Sequence, residues 1–378
     1  MKQTTIFWLA GESSGDLHAE LVMKALAKNG LRFRHIGIGG PRMQAQGLQP
    51  MFEFKRFAVM GFVEVIKHLG FFLKVQKKIR KLFITDKPDL VILVDYPGLN
   101  MRVAHMADEF RIPVLYYICP QFWAWKHDRV YQIKASVRHT ACILPFEKEM
   151  LDIHNVTCSY VGHPIAEEVS IDLDRQSFAR FFNIDPDKKW LGFFPGSRDG
   201  EIKKMLPQFL KAARAWPEYE ILLSKSKSVN HSLFLEYAES NSLPNLRIVD
   251  GYNYEMMKYC DALVSTSGTV TLEASFIGTP TVICYKANAV SYLIGKYLVK
   301  IPRIGLPNII LNNDILPELV QNDMRAELIN ARLKELLPGG DRREIVLLEL
   351  HKLRALLSDK KPSKEVPKII DHLLLTYA

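Results

Sequence analysis

The chain lacks any run of about 18 uncharged apolar residues, so no helix that crosses a bilayer is expected. Its first apolar stretch, residues 6–10, stops at Gly11 and Glu12, too short for the apolar region of a secretory signal. Cysteine is scarce: Cys119, Cys142, Cys158, Cys260 and Cys284 are scattered and form no C-x-x-C pair. A disulfide framework is therefore not expected, and the five read as buried thiols in a reducing cytoplasm. Acidic residues are in deficit, 41 against 50 Lys and Arg. The net charge of +9 favours anionic partners such as phosphates, nucleic acid or an acidic membrane surface, without choosing among them.

What is present is enough for two domains. The 378 residues are 48% hydrophobic and 24% charged, the balance of a globular protein with substantial cores. Strand-length apolar runs alternate with longer helical patterns, which predicts an α/β fold of parallel sheets covered by helices. Strands are expected at 4–10, 33–38, 90–95, 114–118, 141–144 and 159–161, then at 190–194, 220–223, 247–249, 262–265 and 281–285. The turn at Gly162-His163-Pro164 and the polar stretch that follows put a boundary near residue 166. The reading is thus a first domain over 1–166, a second over 167–340, and a basic helical tail over 341–378 that packs back on the first domain or on a partner subunit. Two Rossmann-like halves facing each other across a cleft would hold a ligand beyond the carboxyl ends of their strands.

The first predicted strand runs into Gly11-Glu12-Ser13-Ser14-Gly15-Asp16 and then a helix. Small residues there let backbone N–H groups at a helix N-terminus approach an anion or a sugar. A plain tight turn explains the same letters, and they also match the G-x-S-x-G nucleophile elbow with Ser13 as nucleophile. Against the elbow, a first strand leaves no upstream loop to complete an oxyanion hole. Asp95 ends an apolar strand in the stretch through Asn100, where a carboxylate could take a proton from a hydroxyl, or could simply cap the turn before Pro97.

In the second half, Pro195-Gly196-Ser197-Arg198 follows a strand, and Arg198 could fork two phosphate oxygens or be an ordinary surface residue. Ser267, Gly268 and Thr269 open a helix whose dipole and unpaired N–H groups favour a pyrophosphate; an ordinary N-cap is the competing reading. Glu273 lies near that helix start and could accept from a ribose. Asp172-Leu173-Asp174 and Asp185-Pro186-Asp187 have the D-x-D pattern of metal-binding sugar-nucleotide enzymes. Neither follows a strand, so Asp174 reads as a helix cap, Asp185 as a turn, and no metal is expected. Residues 57–83 mix Phe62, Phe71, Phe72 and Leu73 with Lys74, Lys77 and Lys78, a pattern that suits either an interfacial segment or a core helix with a basic face.

In order along the chain stand GESSGD at 11–16, MGFVEV at 60–65, the strand tip at 95–100, Trp123-Ala124-Trp125, LPFE at 144–147 and VGHP at 161–164. PGSR at 195–198, SGTVTLEA at 267–274, GTP at 278–280, LPN at 306–308 and PELVQ at 317–321 follow. Together these motifs resemble the lipid A disaccharide synthase family over nearly the whole chain. The resemblance implies a GT-B fold with the sugar nucleotide on the C-terminal domain. It implies UDP-2,3-diacylglucosamine as donor, 2,3-diacylglucosamine 1-phosphate as acceptor, and a β-1,6-linked disaccharide 1-phosphate and UDP as products. Asp95 is then the base, and Arg198, Ser267, Gly268, Thr269, Glu273, Asn308 and Gln321 surround the nucleotide. Gly11, Glu12, Ser13, Ser14, Gly15, Asp16 and Asn100 lie on the acceptor side. Neither metal nor cofactor nor nucleic acid takes part. The expected place is peripheral, on anionic lipids at the cytoplasmic face of the inner membrane; the oligomeric state is left open, a homodimer being one option. A sugar-nucleotide epimerase of the same architecture, a Ser13-dependent hydrolase and a basic membrane adaptor are the alternatives. Release of UDP from two lipid sugars separates all four.

Overall fold

Residues 5–10 and 90–94 are buried along their whole length, which only a sheet covered on both faces accommodates. In the computed structural model, which describes residues 3–28, 30, 32–58, 69–125, 128–240, 243–287 and 302–377, such runs form two parallel sheets in two units.

The first unit comprises residues 1–164 and 359–378. Its strands are β1 (Thr5–Ala10), β2 (Arg34–Ile38), β3 (Gln49–Pro50), β4 (Leu90–Val94), β5 (Val114–Tyr117), β6 (His139–Cys142) and β7 (Cys158–Tyr160). They lie in the order β3-β2-β1-β4-β5-β6-β7, all paired in parallel. The chain moves outward from β1 in one direction and, after β4, in the other, so the crevice of this sheet opens between the tips of β1 and β4. The helix Ser13–Lys28 turns Ala19, Val22, Met23 and Leu26 inward at helical spacing.

The second unit, residues 165–358, contains β8 (Lys189–Phe194), β9 (Tyr219–Lys225), β10 (Leu246–Asp250), β11 (Ala262–Thr266), β12 (Thr281–Tyr285) and β13 (Glu318–Val320). Their order, β10-β9-β8-β11-β12-β13, is again wholly parallel, with its switch point between β8 and β11. The short strands β3 and β13 are additions to the sequence reading, since runs of two and three residues carry no periodic signal.

The tail requires a correction. Residues 341–378 do not act as one element. The helix Arg343–Ser358 buries Val346, Leu350, Leu353 and Leu357 in the core of the second unit. The helix Pro362–Tyr377 buries Val366, Ile370 and Leu373 with the inward face of the helix Ser13–Lys28 in the first. Pro362 begins the second helix, where its missing N–H costs nothing. The cysteines are unpaired thiols, Cys158 partly exposed and the other four buried. Asp174 caps the helix Arg175–Phe182 by accepting from the Ser177 N–H at 2.7 Å, and Asp185 accepts from Asp187 N within a turn.

Candidate active site

At the switch point of the first sheet, the tip of β4 carries Asp95. Asp95 and Tyr96 both have left-handed backbones, φ 48° and 49°. Three bonds hold this turn. The Asp95 N–H donates to Tyr117 O at 3.0 Å, and the Asp95 carbonyl accepts from the Tyr116 hydroxyl at 2.9 Å and from Asn100 Nδ2. Burial pushes the Asp95 carboxyl up to about 6, and the nearby Glu12 carboxylate adds to the rise; a bond from Tyr96 N–H and the field of His18 offset part of it. A carboxylate so placed is a proton acceptor tuned toward neutral pH.

Facing it is the β1 tip. Gly11 is required because a β-carbon would lie 2.6 Å from the Tyr96 ring. Glu12, Ser13 and Ser14 are exposed, at the start of a 16-residue helix, where the first N–H groups of a helix have no intrahelical partner. Two residues expected on the acceptor side are instead occupied within the fold. Asp16 is buried, and its carboxylate accepts from Gly40 N at 2.7 Å and from Met43 N and Arg42 N at 3.1 Å, capping the helix Pro41–Ala45. Asn100 is fully buried and directs its amide at Val94 O and Asp95 O, so it shapes the turn beneath the base.

At the switch point of the second sheet a cavity of about 300 Å³ opens between the tips of β8, β9 and β11. Arg198, Ser267, Gly268 and Thr269 all line it. The Arg198 side chain is 83% exposed and meets Glu201 at 3.4 Å, so its guanidinium can turn onto an anion without breaking a buried pair. Glu201, which the sequence reading did not single out, holds the turn: its Oε2 accepts from Ser197 N at 2.8 Å. Gly196, at φ 121°, is needed there because a β-carbon would meet the Glu201 carboxyl at 2.4 Å. The helix Thr269–Ile277 starts at the cavity wall. Ser267 donates its hydroxyl to Ile304 O at 2.9 Å, so it offers lone pairs rather than a proton. Ser224, bonded to Asn253 at 2.9 Å, and Ser226 complete the polar lining.

Three expected nucleotide contacts lie off this cavity. Glu273 is half-buried one turn along the helix, reached by the Tyr254 hydroxyl at 3.4 Å. Burial pushes its carboxyl up to about 7, with Glu168 adding to the rise. Asn308 is fully buried; it donates to Leu316 O and Glu318 Oε1, each at 2.8 Å, and accepts from Leu316 N. Gln321, in a left-handed conformation, accepts from Ala287 N at 3.0 Å. Asn308 and Gln321 thus brace the loops around β13, and Glu318 is the hub that sequence reasoning missed. Its carboxylate accepts from Ile304 N, Gly305 N and Asn308, linking β13 to the segment that Ser267 contacts.

The expected membrane contacts divide. Phe71 and Phe72 are 9% and 8% exposed on the helix Leu69–Thr85, and Phe71 packs edge-on against Phe52 and Phe57. They are core residues, because the apolar face of this helix runs through positions 71, 72, 75, 79 and 83. Leu73, 49% exposed, and the exposed Lys74, Lys77 and Lys78 form the outer face. Phe62 lies outside the described residues. Among the described residues no helix is long and apolar enough to cross a membrane.

Residues 6–367 match the family model for lipid-A-disaccharide synthetase. The chain is 40% identical over 350 residues to the lipid-A-disaccharide synthase of Nitrosococcus oceani, covering 92% of this chain and 90% of the relative. Among solved structures it is similar to the calicheamicin glycosyltransferase CalG4, at TM-score 0.65 and 13% identity over the full length of both chains. It is equally similar to S. aureus MnaA solved with UDP, at TM-score 0.65 and 12% identity, covering 99% of this chain and 97% of that one. The likeness to these structures is one of fold, two Rossmann-like α/β units of GT-B type. A match of this extent in sequence shows more: the chain belongs to the lipid-A-disaccharide synthetase family, and is a hexosyltransferase.

Proposed function

We propose that the chain transfers the sugar of UDP-2,3-diacylglucosamine to the 6-hydroxyl of 2,3-diacylglucosamine 1-phosphate, with inversion, releasing UDP. The observation that carries this reading is the cavity at the β8/β11 switch point, where Arg198 and a helix start converge. Leaving-group charge develops on the UDP phosphate, and a guanidinium together with free backbone N–H groups stabilises it there. In this reading these groups serve in place of a metal ion, and no cofactor takes part. Asp95 removes the proton from the attacking hydroxyl as the new glycosidic bond forms and the bond to UDP breaks. Lipid substrates require that the chain meet a bilayer surface, which we place at the cytoplasmic face of the inner membrane. The exposed Leu73, Lys74, Lys77 and Lys78 supply apolar insertion and attraction to anionic headgroups.

The test is an assay of the purified chain with both defined acyl sugars, following UDP and the disaccharide together. Stoichiometric release of the two supports the reading. Conversion of the UDP-sugar in the absence of acceptor would instead indicate epimerase chemistry.

A further inference from the structure

Three side chains that take no part in the proposed reaction converge inside the first unit. Cys119, just beyond β5, Cys142, at the end of β6, and Glu147, in the first turn of the helix Pro145–Ile153, bring two sulfurs and a carboxylate oxygen within 4.8 Å of one another. All three are buried. We propose that this cluster is a structural site for a thiophilic divalent cation, zinc in the first instance, that ties the ends of two strands to the following helix.

The donor set decides the class of ion. Two thiolates and one carboxylate suit a tetrahedral borderline cation, whereas magnesium and calcium demand six or more oxygens. Tetrahedral zinc with bonds of about 2.0–2.3 Å needs ligand atoms between about 3 and 4 Å apart, so the observed cluster closes on the ion by small side-chain adjustments. The carboxylate is already oriented as a ligand would be. Glu147 Oε1 accepts from Trp123 Nε1 at 3.1 Å and Oε2 from Leu144 N at 3.2 Å, and the Cys119 thiol also donates to this carboxylate, a bond that the ion would replace. Cys158 borders Cys142 but directs its sulfur to Asp152 Oδ1 at 3.3 Å, so the remaining position would fall to a solvent molecule.

On binding, the two thiols release their protons to solvent, as does the carboxyl where it is protonated, and the ion takes the vacated electron pairs; no oxidant or reductant is needed. The ion would act on the fold rather than on a substrate. Its effect would be on the β5 end, where Tyr117 O holds the Asp95 N–H two residues before Cys119.

Cobalt(II) chloride added to the reduced, full-length protein is the probe. The expected result is a near-ultraviolet thiolate-to-cobalt band with visible tetrahedral absorption, saturating at one equivalent and displaced by zinc. Cys119→Ser and Cys142→Ser should abolish the band. Glu147→Gln should weaken binding by at least about 10-fold, the low end for loss of a supporting group around a metal, and Cys260→Ser in the other unit should leave it intact. Where a variant fails to fold by circular dichroism, X-ray absorption of the zinc-loaded wild type replaces it, with at least two sulfur neighbours expected. Absence of the band in the folded wild type, a band that survives in folded Cys142→Ser, or a zinc shell of nitrogen and oxygen alone would each overturn the proposal.

Discussion

Asp95 is buried enough to be a better base than an exposed carboxylate, and the same burial costs the fold. Its carboxyl stands at about 6 in the folded chain against 3.8 ordinarily. The base must be ionised to accept a proton, so turnover should fall as pH drops through about 6, and Asp95→Asn should lower it by at least about 10²-fold while UDP binding persists. A pH–rate profile checks the first statement, and an unshifted acid limb would refute it. For stability the sign is opposite. A raised folded pKa means that the neutral acid is preferred in the fold. The penalty is therefore absent at pH values below the unfolded pKa near 4, grows as pH rises, and is complete above about 6. Asp95→Asn should thus be more stable than wild type at neutral pH, by at most about 3 kcal/mol, since each tenfold change in an acidity constant is worth about 1.4 kcal/mol, and the gap should close in acid. Arg198 is the contrasting case. Its side chain is largely in solvent, so Arg198→Ala should leave the melting temperature unchanged and weaken UDP binding by about 10-fold or more, the loss of a charge-assisted bond of at least about 1.5 kcal/mol. Calorimetric titration with and without magnesium measures this, and recovery of affinity on adding the cation would count against the proposed role.

Among the elements, the helix Leu69–Thr85 shows where composition misleads. Phe71, Phe72 and the lysines are adjacent in sequence, and adjacency suggested a common surface. Helical geometry separates them, sending the Phe pair into the aromatic cluster with Phe52 and Phe57 and Leu73, Lys74, Lys77 and Lys78 outward. Phe71→Ser should therefore destabilise the protein by about 3–5 kcal/mol, as large-to-small changes in a core do. The combined change Leu73→Ser, Lys74→Glu and Lys77→Glu should keep the melting temperature within about 2 °C, as surface substitutions do. The same triple variant should lose salt-sensitive binding to anionic vesicles. Vesicle co-sedimentation at two salt concentrations decides; unchanged binding would move the membrane contact elsewhere. The rest of the site divides on similar physical grounds. Strand tips and helix starts were legible because burial, small residues and local chain direction set Asp95, Arg198 and the 267–269 turn. Gln321 and Asp16 were not, because their partners lie far along the chain, Asp16 bonding residues 40 to 43 and Gln321 bonding residue 287. Nothing local in the sequence records such a bond.

At the scale of the molecule, the alternation of strands and helices announced two parallel sheets, and the polar stretch after His163 announced the change from one to the next. The C-terminal region was less legible, since amphipathic helices show that they have an inward face without showing which core receives it. The structure sends Arg343–Ser358 to the second unit and returns Pro362–Tyr377 to the first. A chain ending at Ser358 should therefore damage one unit selectively. It loses Val366, Ile370 and Leu373 and uncovers the face of the helix Ser13–Lys28 carrying Ala19, Val22, Met23 and Leu26. At about 1.5–3 kcal/mol for each buried side chain, the loss is on the order of 5 kcal/mol, comparable with the whole stability of many domains. The second unit keeps Leu350, Leu353 and Leu357 in place and should retain its core. Hydrogen exchange read by mass spectrometry should show β1, β2 and β4 exchanging at least about 10²-fold faster in the truncated chain, since about 1.4 kcal/mol corresponds to a factor of ten, while β8, β9 and β11 keep their protection. Equal loss in both sets of strands would mean that the two cores are one cooperative unit and that the C-terminal helix stabilises the chain as a whole.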